Sequence, residues 1–164
     1  MSLEVLAFVL VAVVLVGSAL AVVLTKNLFH AVLWLALALT GTAGVFLLLD
    51  AEFLAAVQLL LYAGGVVTIA VFAIVVTERL VGERISQTSR NIAGGALTAA
   101  ALLAVVVSVL GRAGLPLTRP PMPGDATAAV GEAVLTRYVL PFELLALLML
   151  VSLIAAIYFA RPEE

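Results

Sequence analysis

Five stretches of this chain are each long and apolar enough to cross a lipid bilayer, and that leaves room for little else. A helix needs about 20 apolar residues to span roughly 30 Å of hydrocarbon. The sequence offers residues 3–24, 31–49, 53–76, 92–110 and 139–160. Each is free of Lys and Arg, and where the ends carry Glu the centre does not. In lipid, every backbone N–H and C=O must be satisfied within the protein, so runs of this kind become helices. The expected fold is an all-α integral membrane protein with five transmembrane helices. All 164 residues are expected to form a single membrane domain. Charged residues are 11% of the chain and hydrophobic residues 65%. A water-soluble fold could not cover so much apolar surface with so few charges.

The first run raises the question of a cleaved signal. No Lys or Arg precedes it, and Val5–Leu24 is uncharged throughout. Signal sequences carry a basic start and a shorter apolar core of roughly 7–15 residues. The segment is therefore read as a retained first helix. Between the second and third runs only Asp50, Ala51 and Glu52 intervene. Those two helices must run antiparallel, with Asp50 and Glu52 read as a solvated turn and an N-cap. The loop at 111–137 is the longest. Its Pro116, Pro120, Pro121 and Pro123 exclude regular helix there, and Ala126–Val134 is expected to form a short surface helix. No internal repeat is visible.

Orientation follows from Lys and Arg. Lys26, Arg79, Arg84, Arg90 and Arg161 fall on one side and Arg112, Arg119 and Arg137 on the other. That bias predicts an N-terminus outside and a C-terminus in the cytoplasm.

The chemistry available is narrow. There is no cysteine, so the chain holds no disulfide and no thiolate-ligated cluster or zinc. His30 is the single histidine. No site for a metal and no catalytic residue is expected. Net charge is −2, with no basic patch for nucleic acid. Ionisable groups in mid-membrane mark function by default, and no span has one near its centre. A proton relay of carboxylates or lysines cannot be built from this chain alone. Glu143, two residues after Pro141, is read as an interfacial helix start whose carboxylate faces the positive end of the helix dipole. Ala36, Thr40 and Gly44 in the second span, and Ala96, Ala100, Ala104 and Ser108 in the fourth, are spaced for close helix packing.

The third span is the unusual one. Gln58 and Tyr62 are four apart, which predicts that both polar ends share one helix face. Gly64 and Gly65 follow at mid-membrane. Adjacent glycines favour a kink or a π-bulge, an extra residue in one turn.

Three segments resemble a known family. Glu52-Phe53-Leu54-Ala55, Val57-Gln58 and Leu61-Tyr62-Ala63-Gly64-Gly65-Val66 are similar to the third span of chain J of bacterial proton-translocating NADH–quinone oxidoreductase, respiratory complex I. The mitochondrial counterpart is NADH dehydrogenase subunit six. Asn27-Leu28-Phe29-His30 resembles the family's Asn-Pro-x-His, with Leu28 in the proline's place, and Leu140-Pro141-Phe142-Glu143 resembles the start of its last span. The resemblance implies a π-bulge in the third helix, with Tyr62, Ala63, Gly64, Gly65 and Val66 as the conformational segment. It implies polar contacts at Gln58, Glu52 and Glu143. Thr68 stands where the family is usually apolar. The implied role is a membrane-arm subunit in a bacterial cytoplasmic membrane, beside the subunit that forms the quinone cavity. NADH, FMN, iron–sulfur clusters and quinone would all be held by other chains. Two other readings compete: a small homo-oligomeric transporter, short of polar lining, and an inert spacer. A chain J-like subunit of a related redox or antiporter complex is a further variant.

Overall fold

Apolar side chains make these helices long, but small residues decide how they meet. The computed structural model describes residues 3–81, 92–114 and 125–160. The elements are α1 (Leu3–Leu24), α2 (Leu28–Leu48), α3 (Glu52–Val57), a π-helix (Gln58–Val66), α4 (Val67–Val81), α5 (Ile92–Arg112), α6 (Ala126–Leu135) and α7 (Val139–Phe159). No strand occurs among the described residues. α3, the π-helix and α4 run on without a break and form one span. Among the described residues five helices are long and apolar enough to cross a membrane, as the sequence predicts. The helical ends differ from the expected ones. The second span starts at Leu28 rather than residue 31, because Asn27 caps it. The third runs from Glu52 to Val81, because helix continues past the apolar run into Glu78 and Arg79. Residues 82–91, the prolines of the fourth loop and Arg161 lie outside the described residues.

The chain falls into two compact units, one up to Pro116 and one from Leu117. In the first, α2 is the central helix, with α1 on one side and the third span also packed against it. The α1–α2 seam is a series of close approaches. A Cβ on Gly41 would lie 3.3 Å from Leu15 Cβ and 3.4 Å from Leu15 Cα. One on Gly44 would lie 3.3 Å from Val11 Cγ1. As the number rises on α2 it falls on α1, the signature of antiparallel neighbours. Ser18 of α1 is 2% exposed, and its hydroxyl donates to the carbonyls of Val14 and Leu15 at 2.6 and 3.0 Å. A small residue that satisfies its own hydroxyl lets two backbones approach in lipid. The face expected from Ala36, Thr40 and Gly44 is therefore corrected in part. Gly44 is in the seam, but Thr40 is exposed and the close approach belongs to Gly41. α5, which carries the second small-residue series, buries no residue within the chain.

Two local devices set where α2 begins and ends. Asn27 Oδ1 accepts from the His30 backbone N–H at 3.2 Å, an N-cap. Leu28 is then the first helical residue. Its N–H has no partner inside the helix, and proline is favoured at such a position. This explains why Leu28 can replace the proline of the similar family. Leu28→Pro is expected to keep the fold and change stability by less than about 1 kcal/mol. Thermal melting of the solubilised protein checks it; a larger loss would mean that the Leu28 N–H or side chain matters more than its position implies.

At the other end, Asp50 takes a left-handed φ of 57°. The Ala51 N–H reaches back to Phe46 C=O at 2.9 Å and the Asp50 N–H to Leu47 C=O at 3.1 Å. This is a Schellman ending, which reverses the chain within three residues. The residue flanking α3 is Ala51, with no side-chain cap, so neither Asp50 nor Glu52 fills the expected N-cap. Asp50 is there because aspartate tolerates the left-handed region. Asp50→Val is expected to cost about 1–2 kcal/mol, and Asp50→Gly to be tolerated. Melting of the two variants side by side tests the turn.

The second unit contains α6 and α7. Asp125 accepts from the Ala128 N–H at 2.9 Å and caps α6, the short helix expected from the sequence. The Thr136 and Tyr138 N–H groups close α6 on Glu132 and Ala133 carbonyls, both at 2.9 Å, and α7 starts at once. The Arg137 guanidinium sits 5.7 Å from the Tyr138 ring centroid.

Candidate functional site in the third span

Every turn of an ordinary helix pairs an N–H with the carbonyl four residues back. Within the π-helix Gln58–Val66 the pairing shifts to the fifth residue back, although the Gln58 N–H itself still reaches Leu54 C=O, four back. The Val67 N–H at the end of this stretch still reaches Tyr62 C=O. Nine residues of π-helix amount to about two wide turns, more than the single-turn bulges in which this geometry mostly appears. The sequence explains the place. Gly64 and Gly65 remove two Cβ atoms from the wide turns, and lipid deprives a broken backbone of water, so the chain changes register rather than breaking.

The segment is fixed at its start. Gln58 is 8% exposed, and its Nε2 donates to the Leu39 carbonyl of α2 in a long hydrogen bond of 3.4 Å. Ala55, one turn earlier, is buried on the same side. Beyond Gln58 the segment opens outward. Tyr62 is 49% exposed, Gly64, Gly65 and Val66 are exposed, and Ala63 is half-buried. The sequence places Gln58 and Tyr62 on one face. The structure gives them different surroundings, one held against α2 and the other on the surface of the chain.

The Tyr62 hydroxyl makes no hydrogen bond among the described residues. Tyr62 is the eleventh residue of the 26-residue span Glu52–Thr77, about 15 Å along it and so near mid-membrane. A hydroxyl left bare in hydrocarbon costs a few kcal/mol. Thr68, by contrast, satisfies itself by donating to Gly64 C=O. Its presence at a usually apolar position leaves no polar group in need of a partner. Glu52 is exposed in the first turn of α3. Glu143 is exposed on α7, in the second unit, four residues after the helix start and with no role as a cap. The sequence did not show the partner of Gln58, the Leu39 carbonyl, or the start of the π-helix there, four residues before Tyr62. The glutamine itself, a lone amide in an apolar run, was the available signal.

Comparison with known proteins identifies the family. Residues 18–159 match the model of the family NADH-ubiquinone/plastoquinone oxidoreductase chain 6. The chain is 36% identical to F(420)H(2) dehydrogenase subunit J of Methanosarcina mazei, over 99% of its own length and 93% of that protein. It is 35% identical to NADH-quinone oxidoreductase subunit J of Rhodobacter capsulatus, over 96% and 81%. It is 31% identical to NAD(P)H-quinone oxidoreductase chain 6 of Leptolyngbya boryana, over 98% and 81%. With its five apolar helices and the π-helix in the third, the chain belongs to the NADH-ubiquinone/plastoquinone oxidoreductase chain 6 family, that of subunit J of complex I.

Proposed function

We propose that this chain couples quinone reduction to proton translocation in a complex I-type enzyme by changing the register of its third span, and that it binds no redox cofactor itself. The observation that carries the reading is the π-helix at mid-membrane, anchored at Gln58 and open at Tyr62–Val66. Passing from π to α exchanges fifth-residue for fourth-residue pairing. Nearly every hydrogen bond is replaced by another of the same kind, so the two states lie close in energy. Nine residues make about two π turns but about two and a half α turns, so the exchange turns one part of the span against the other by roughly half a turn. Tyr62, exposed and unpaired within the described chain, is carried by that turn. A tyrosine moving at mid-membrane makes or removes a polar step for water, which is what a chain without titratable groups can contribute to proton movement.

The names of the relatives support a role separate from electron input. One names F420H2, one NADH and one NAD(P)H, yet each resembles this chain along nearly its whole length. A subunit common to such different donors serves a step they share. NADH, FMN, iron–sulfur clusters and quinone belong on this reading to other subunits. The partners are the other membrane-arm chains, including the one that forms the quinone cavity, and the lipid. The location is the bacterial cytoplasmic membrane. The Lys and Arg bias supports an outer N-terminus and a cytoplasmic C-terminus.

The test is mild extraction from native membranes, a native gel stained for NADH oxidation, and mass spectrometry of the band. This chain is expected in a large, multi-subunit, NADH-oxidising band. A large band that oxidises another donor would move the assignment to a related quinone-reducing complex. A small band would overturn it.

A further inference from the structure

α6 is apolar but too short to cross a membrane. Its ten residues make about 15 Å of helix, half of the roughly 30 Å of hydrocarbon. At about 100° per residue, Ala126, Ala129, Val130, Ala133 and Val134 fall within an arc of about 140°, an unbroken apolar face. Thr127, Gly131 and Glu132 lie on the other side, with Ala128 and Leu135 among them. α6 packs on α7, and two residues near its C-terminal end, Ala133 and Val134, are half-buried. Ala126, Ala129 and Val130 continue the same face and are exposed.

What that face meets follows from where α6 ends. α7 is a membrane span by length and composition, so Val139, its first residue, stands at a membrane boundary. Three residues separate Val139 from Leu135, at most about 14 Å of chain. The Thr136 and Tyr138 N–H groups fold that link back onto α6 carbonyls, so the helix end is held at the boundary. The link also carries Arg137 and Tyr138, both exposed. The guanidinium rests 5.7 Å from the ring centroid and makes no ion pair among the described residues. Glu132 and Glu143, the carboxylates nearest in sequence, do not pair with it. Tyrosine favours the headgroup level of a bilayer, and the planar fork of arginine matches a phosphate.

We propose that α6 and the Arg137–Tyr138 link form a lipid-anchoring surface. The face of Ala126, Ala129 and Val130 enters the headgroup–acyl boundary of the leaflet in which α7 begins, and Arg137 binds a phospholipid phosphate there. The apolar face continues the lipid-facing surface of α7, and the unpaired cation supplies the complementary charge. Glu132, on the other side, stays in water. This goes beyond the coupling role of the third span and does not depend on it.

The test is photo-crosslinking in native membranes. The photoreactive residue p-benzoylphenylalanine is placed at Val130, or at Ala129 should Val130 not tolerate it, and in a separate chain at Glu132. After illumination this chain is isolated and weighed by mass spectrometry. From position 130 or 129 it is expected to gain the mass of one phospholipid, in at least fivefold higher yield than from position 132. A crosslink from 130 and 129 to another protein chain overturns the proposal, as does no adduct, or equal lipid yields on the two sides of α6. Arg137→Gln in the same background is expected to lower the lipid yield at least twofold and Arg137→Lys to retain it. An unchanged yield with glutamine overturns the phosphate contact. The readout needs no turnover, so loss of the coupling reading leaves it standing.

Discussion

Replacing Gly41 by leucine is expected to pull α1 away from α2 and to lower the stability of the assembled protein by about 3 kcal/mol, the upper end for overpacking. Even the first added carbon would stand 3.4 Å from the Leu15 Cα, and backbone there cannot move without shifting α1. Helices in lipid gain little by burying apolar surface against each other, so their association depends on such close approach. The natural control is Gly17→Leu, where nothing lies within 4 Å of the added carbon. Heat-induced loss of the solubilised complex, followed on native gels, should show a lower midpoint for Gly41→Leu and no change for Gly17→Leu. Equal midpoints would mean that the seam contributes nothing to holding α1.

Tyr62→Phe is expected to leave assembly intact and to lower proton translocation per quinone reduced by up to about tenfold. The side chain keeps its shape and loses only the hydroxyl, which binds nothing among the described residues of its own chain. Stability of the isolated chain therefore has no reason to fall. If the hydroxyl joins a polar path in the complex, its loss removes a hydrogen bond of about 0.5–1.5 kcal/mol, and 1.4 kcal/mol is a factor of ten. Proton uptake by reconstituted vesicles, normalised to quinone reduction, reads the effect. Unchanged coupling would favour the inert spacer over the moving helix.

These two variants also separate what was legible in the chain from what was not. The spans were legible because lipid punishes any unpaired backbone group, so a run of 20 apolar residues has one outcome. The absence of charged side chains from the centres of the spans was legible because such residues can be counted. The glycine pair announced an irregular turn, since few other residues lower its cost. The five residues Tyr62–Val66 lie within the resulting π-helix.

Partner faces were not legible, and the reason is physical. A water-soluble helix shows its inner face as an apolar stripe. A helix with lipid on its outside is apolar all round, so periodicity no longer marks the buried side. Ala36–Thr40–Gly44 and Gly41–Gly44 read equally well as contact faces along α2, and only the approach of Leu15 and Val11 decided between them. The same holds for Gln58 and Tyr62. Spacing on one helix gave both a polar end. The Leu39 carbonyl of α2, 19 residues earlier in the chain, buried the first and left the second outside. The sequence alone determined that this protein lives in the membrane, how many times it crosses and that its third helix departs from α around the glycine pair. Which residues hold that departure in place, and which are left free to face a partner, was decided by how the helices pack.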